Sequence, residues 1–120
     1  MTDSYLDWVA EDLKKIGQAY AKLEVATGDR KEEMEAVFEI SHDIKGQGGT
    51  FGYDLMTAIA TELCRLIEKA EKIGDEEVEV VKLHIAALKL VIDEDMKGQG
   101  GKAGKKMLAG LQQVCDKLLA

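Results

Sequence analysis

Residues 34–52 read Met34-Glu35-Ala36-Val37-Phe38-Glu39-Ile40-Ser41-His42-Asp43-Ile44-Lys45-Gly46-Gln47-Gly48-Gly49-Thr50-Phe51-Gly52. As far as Ile44, small or apolar residues recur at three- and four-residue steps through Met34, Val37, Ser41 and Ile44, the spacing of one buried face of an α-helix. Beyond Ile44 the pattern fails. Glycine occupies positions 46, 48 and 49, and each glycine costs a helix interior roughly 1 kcal/mol relative to alanine while offering left-handed backbone for a cap. The helix is therefore expected to close within Gly46–Gly49. Upstream, Asp29 stands where a cap belongs, and Glu32 and Glu33 lie near the positive end of the helix dipole.

The same periodicity extends in both directions. A first helix is expected over about Ser4 to Ala26 on Tyr5, Leu6, Val9, Leu13, Ile16, Tyr20 and Leu23. A third is expected from Gly52 to Ile73 and a fourth from Glu76 to Lys97, the fourth with apolar stripes on two sides. A fifth follows Gly98-Gln99-Gly100-Gly101 and carries Met107, Leu108, Leu111, Val114, Cys115 and Leu118 on one face. The chain has no proline. Amphipathic helices joined by short turns bury their stripes together, so the expected fold is all-α: an up-and-down four-helix bundle with an additional N-terminal helix. At 120 residues a single domain spanning residues 1–120 is expected.

Charge and composition narrow the function. A formal charge of −7 lacks the basic stripe of a nucleic-acid binder, so protein partners are favoured. The N-terminus Met1-Thr2-Asp3-Ser4 has acid where a secretory leader has base, and no apolar run reaches the length of a membrane span. Cytoplasmic placement, with no membrane contact, is expected. Cys64 and Cys115 fall on apolar helical positions outside any CxxC or zinc spacing, which marks them as reduced core thiols.

His42 lies about 120° around the helix from the core direction at Ser41, so its imidazole should face water. The stripe it shares with Glu35, Phe38, Glu39, Lys45, Gly46 and Gly49 is bulky on the N-terminal side and bare on the other. Bare backbone at Gly46, four residues on, gives another protein's active site room to bring a phosphorus atom into line with Nε2. An exposed imidazole is a competent nucleophile near neutral pH without a strong base. Phosphoryl transfer gathers charge on equatorial oxygens, which the ammonium of Lys45, one turn away, can offset. No carboxylate cluster fit for a hard cation accompanies His42. No metal site or cofactor is therefore expected, and magnesium would come with the partner.

His42-Asp43-Ile44-Lys45-Gly46 followed by Phe51-Gly52 resembles the H-x-x-K-G-x-x-x-x-hydrophobic-G signature of histidine phosphotransfer (HPt) domains. Leu63-Cys64-Arg65-Leu66-Ile67-Glu68 is similar to that family's L-C-x-x-L-E segment. Gly48 and Gly49 depart from the small polar residues more usual there. The resemblance implies a helical bundle with His42 as phosphosite, Lys45 as phosphate-side cation and Gly46 as clearance position. It further implies a stoichiometric carrier without an ATP site, exchanging phosphate with receiver domains of hybrid histidine kinases and response regulators, and no small-molecule substrate. Phe38, Glu39 and Gly49 are the candidate partner-docking positions. The competing reading is a non-catalytic helical adaptor that binds a kinase or regulator through the Phe38 patch without phosphate exchange.

Two features fall outside this constellation. Residues 95–104 echo residues 43–52, but Glu94 stands where a histidine would be needed, so the second Lys-Gly-Gln-Gly-Gly is expected to be a glycine turn. His84, on the apolar border of the fourth helix, is expected to be a half-buried packing residue.

Overall fold

The computed structural model describes residues 2–120, with side chains from Tyr5 onward. It contains five α-helices, α1 (Thr2–Val25), α2 (Lys31–Gly48), α3 (Asp54–Lys69), α4 (Asp75–Asp93) and α5 (Gly101–Leu119), with a 3₁₀ turn at Gly49–Phe51. No strand occurs among the described residues. The chain is thus an all-α bundle, as the periodicity implies. Its four-helix ring is formed by α1 to α4, with α1 packed on both α2 and α4, while α5 lies outside in the seam of α3 and α4. The flanking helix is accordingly the C-terminal one, in place of the N-terminal helix expected. Tyr5, Val9, Ile16 and Leu23 drive α1 into the ring, all of them buried. The stripe of α5 buries only Leu111 and Cys115 among its large side chains.

Each end of the bundle is laced by its two loops. At one end Arg30 takes left-handed backbone (φ 65°). Its guanidinium donates to the carbonyl oxygens of Ala26 (3.0 Å) and Ile73 (3.3 Å) and to Asp75 (3.3 Å), fastening the α1–α2 turn to the α3–α4 turn. Arg30, and not Asp29, precedes the first residue of α2, although the Asp29 carboxylate still accepts from the Lys31 amide. At the other end Gly98 N–H donates to Gly52 O (2.7 Å) and Leu55 N–H to Gly98 O (2.8 Å). The Tyr53 hydroxyl donates to Asp95 (2.6 Å).

α2 closes at Gly48, within the expected Gly46–Gly49 window, and the left-handed residue comes after the 3₁₀ turn, at Gly52 (φ 88°). Two helix ends, those of α3 and α4, differ from expectation for identifiable reasons. α3 stops at Lys69 because Ala70 turns extended (ψ 117°), sending residues 70–74 across the bundle end. α4 stops at Asp93 in a Schellman cap: Met96 N–H bonds Val91 O and Asp95 N–H bonds Ile92 O, with Asp95 left-handed at φ 49°. Asparagine or glycine usually fills that position, and the Tyr53 contact supports an aspartate there. The glycine turn before α5 is as expected, with positive φ at Gly98, Gly100 and Gly101.

Candidate functional site

α2 buries Met34, Val37, Ser41, Ile44 and Gly48. The buried Ser41 hydroxyl is satisfied by donating to Val37 O (2.8 Å). With the core direction held there, His42 and Asp43 are exposed. The Phe38 ring lies one turn upstream, its centroid 6.1 Å from that of His42 and its plane tilted by 37°. Glu39 is exposed and Phe38 half-buried. Lys45 is half-buried, and its positive charge reaches Cys64 on α3, whose thiol burial pushes up and Lys45 pulls down. The ammonium is thus felt across the α2–α3 seam. Lys45 forms no ion pair among the described residues.

The three glycines that follow do different things. A Cβ at Gly46 would meet nothing within 4 Å, so that position is open to an incoming partner. At Gly48 a Cβ would come within 2.6 Å of Thr57 Oγ1 and 2.9 Å of the Tyr53 carbonyl oxygen. Gly48 therefore lets α2 and α3 touch backbone to backbone. Gly49 is exposed, with ordinary contact distance to Asp54. Thr57 ties this segment down, its hydroxyl donating to Lys45 O (3.0 Å) and accepting from Gly49 N–H (2.9 Å). That clamp carries α2 through its glycines and holds the Lys45 backbone in helical register below His42.

The neighbouring surface comes from α1. Trp8 is 56% exposed and meets Phe51 edge-on at 6.1 Å, while Phe51 stacks on Tyr5 at 4.7 Å. One turn along, the Asp12 carboxyl is pushed above its usual range, first by burial and further by Asp43 and Glu11 against the pull of Lys15. The Trp8–Asp12 flank of α1 thus runs beside Asp43 of α2 and Phe51 of the 3₁₀ turn. Sequence reasoning singled out neither Trp8 nor Thr57. Trp8 was detectable as an aromatic residue off the apolar stripe of its helix, whereas nothing in the sequence marks Thr57 as a clamp.

On the N-terminal side of Phe38 the surface falls into a groove of about 630 Å³ between α2 and the end of α3, lined by Met34, Phe38, Ile67 and Ile73. Its rim is charged, with Glu35, Glu68 and Glu71 beside Lys31 and Lys72. Among the described residues no group of three or more His, Cys, Asp or Glu is placed to hold a metal ion, and no helix is long and apolar enough to cross a membrane.

His84 lies elsewhere and is fully buried, deeper than its border position suggested. Nδ1 is 2.8 Å from Val80 O, which only accepts, so the ring proton sits there. Nε2 then accepts from Cys115 Sγ at 3.5 Å. Burial pulls the imidazole pKa down and pushes the Cys115 thiol up to about 11. Both are neutral packing groups, and Cys64 is likewise a buried free thiol.

The family model for the Hpt domain matches residues 1–94, which cover the α1–α4 ring, and the chain belongs to that family. Among curated proteins and among solved structures, none matches the chain. Membership gives the chain a histidine phosphotransfer role in two-component signalling, as a carrier that works with receiver domains.

Proposed function

We propose that His42 is the phosphorylated residue and that the chain, acting as one unit over residues 1–120, relays phosphate between receiver-domain aspartates. The observation that carries this reading is the exposed His42 ring followed by open space at Gly46. Nε2 attacks the phosphorus of a receiver's aspartyl phosphate, the P–O bond to the carboxylate breaks, and the N–P bond forms. The aspartate leaves as carboxylate, and the proton on Nδ1 passes to solvent. The return transfer reverses these bonds on another aspartate. Lys45 offsets charge on the phosphoryl oxygens. Magnesium, on this reading, is held by the receiver, and the chain brings neither cofactor nor ATP site. Phe38, Glu39 and the surface at Gly49 form the docking rim, to which the α1 flank adds Trp8.

The test is incubation with a phosphorylated receiver. Label that is acid-labile and base-stable should move to the chain, and His42→Gln should not acquire it. Receiver binding unaffected by His42→Gln, with no label transferred to the wild type by any receiver tried, would instead identify a non-catalytic adaptor.

A further inference from the structure

Of the large apolar side chains that the bundle leaves exposed, Leu83 (43%), Leu90 (45%) and Val114 (37%) share one place. With Ala86, Met107 and Gly110 they line a shallow groove of about 400 Å³ between α4 and α5. Leu83 and Leu90 on α4, and Met107 and Val114 on α5, are each seven residues apart, with small residues between. A seven-residue apolar step is the seam on which helices pack side by side. The seam includes α5, which lies beyond the residues matched by the family model.

Charge selects the occupant. α4 carries acids toward its two ends, Glu76 and Glu79 at one and Asp93 at the other, with the exposed Lys82 and Lys89 between them. α5 carries Lys102, Lys105 and Lys106 at its start and Lys117 near its end. None of these lysines forms an ion pair among the described residues. Within one copy α5 returns alongside α4, with Lys117 and Glu76 lining the same hollow. Turning a second copy by 180° about an axis parallel to the helices lays each α5 over the other's α4. The acidic ends of α4 then meet the lysine-bearing ends of α5 at both extremities. The alternative two-fold, perpendicular to the helices, would set α4 on α4 and acid on acid.

We propose that this groove is a self-association face, on which two copies of the chain pair through α4 and α5 in the charge-matched arrangement. Two helices of this length, at ~1.5 Å rise per residue and 8–10 Å apart, cover on the order of 500 Å² per copy, which is near the lower limit for a specific pair. A pair of that size is reversible and forms only at raised protein concentration. Because α4 lies across the ring from α2, the pairing leaves both His42 faces outward.

Sedimentation equilibrium of the full chain tests this. Wild type should move from 13.2 kDa toward twice that mass with rising concentration, and association should weaken with added salt. Leu90→Glu and Val114→Glu, at exposed positions, should keep the circular dichroism spectrum and weaken dimerisation by at least about 10-fold. Lys106→Glu should weaken it too, and Asp93→Lys should restore it. A wild type that stays monomeric up to concentrations of about 0.5 mM, where even a weak specific pair would be populated, would overturn the proposal, as would a dimer indifferent to Leu90→Glu and Val114→Glu. Failure of Asp93→Lys to rescue would overturn the charge-matched arrangement. The His42 transfer assay is independent of each outcome.

Discussion

Gly46 and Gly48 are two residues apart on one helix, yet the same substitution should have opposite effects on them. At Gly46 an added methyl enters open space, so Gly46→Ala should stabilise the fold by about 0.5–1 kcal/mol through helix propensity. Gly48→Ala drives a methyl into Thr57 and the Tyr53 carbonyl and should cost about 1–3 kcal/mol. Urea unfolding of the two variants checks both signs. Gly46→Leu should remain folded yet lose most of its phosphotransfer rate, because the larger side chain fills the approach to His42. A normal rate in that variant would remove clearance as the reason for the glycine. At His84 the effect is one of pH. Burial lowers its pKa from 6.5 in the folded chain, so the unfolded chain binds the extra proton first as pH falls. Stability contributed by the neutral ring is present above about pH 6.5 and is lost below it, at no more than about 1.4 kcal/mol per pH unit. Nearby Glu62 favours the protonated ring and Arg65 opposes it. Urea midpoints at pH 7.5 and 5.5 should therefore diverge in wild type and in His42→Gln, and diverge less in His84→Leu.

Between elements, the α2–α3 contact turns on Thr57. Its hydroxyl serves Lys45 O and Gly49 N–H together, so Thr57→Val should cost about 1–3 kcal/mol by leaving both groups short of a partner. The measurement is denaturant unfolding, with hydrogen exchange at Gly49 rising in the variant. Here the sequence was only partly legible. The apolar steps Met34, Val37, Ser41 and Ile44 located the buried face of α2 and therefore the outward direction of His42. The glycines after Ile44 read as a stop, and α2 does close at Gly48, but propensity counts a missing side chain only as lost helix and cannot register that Gly48 seats α3 or that Thr57 holds the last turn. The end of α4 was missed because its cap is not a glycine. Asp95 is an unusual left-handed cap, and the tyrosine that holds it lies 42 residues away.

At the scale of the molecule, periodicity gave five helices and an all-α bundle, but it could not say which four close the ring. Each helix shows an apolar stripe, and stripes do not carry partner identity. The outcome depends on how much each stripe buries: α1 sinks Tyr5, Val9, Ile16 and Leu23, whereas α5 sinks little beyond Leu111 and Cys115. Arg65 pins that outer helix by bonding Glu62 (2.9 Å) on its own helix and Asp116 (2.7 Å) on α5. Arg65→Ala should loosen α5 first, and hydrogen exchange should rise along Gly101–Leu119 before it rises in α2. The ring then remains the rigid support that presents His42. The most direct measurement is phosphotransfer from a phosphorylated receiver to the intact chain, followed by mapping of the labelled residue. The account predicts one acid-labile phosphate, on His42 and absent from His42→Gln; label on any other residue, or undiminished label in that variant, would contradict it.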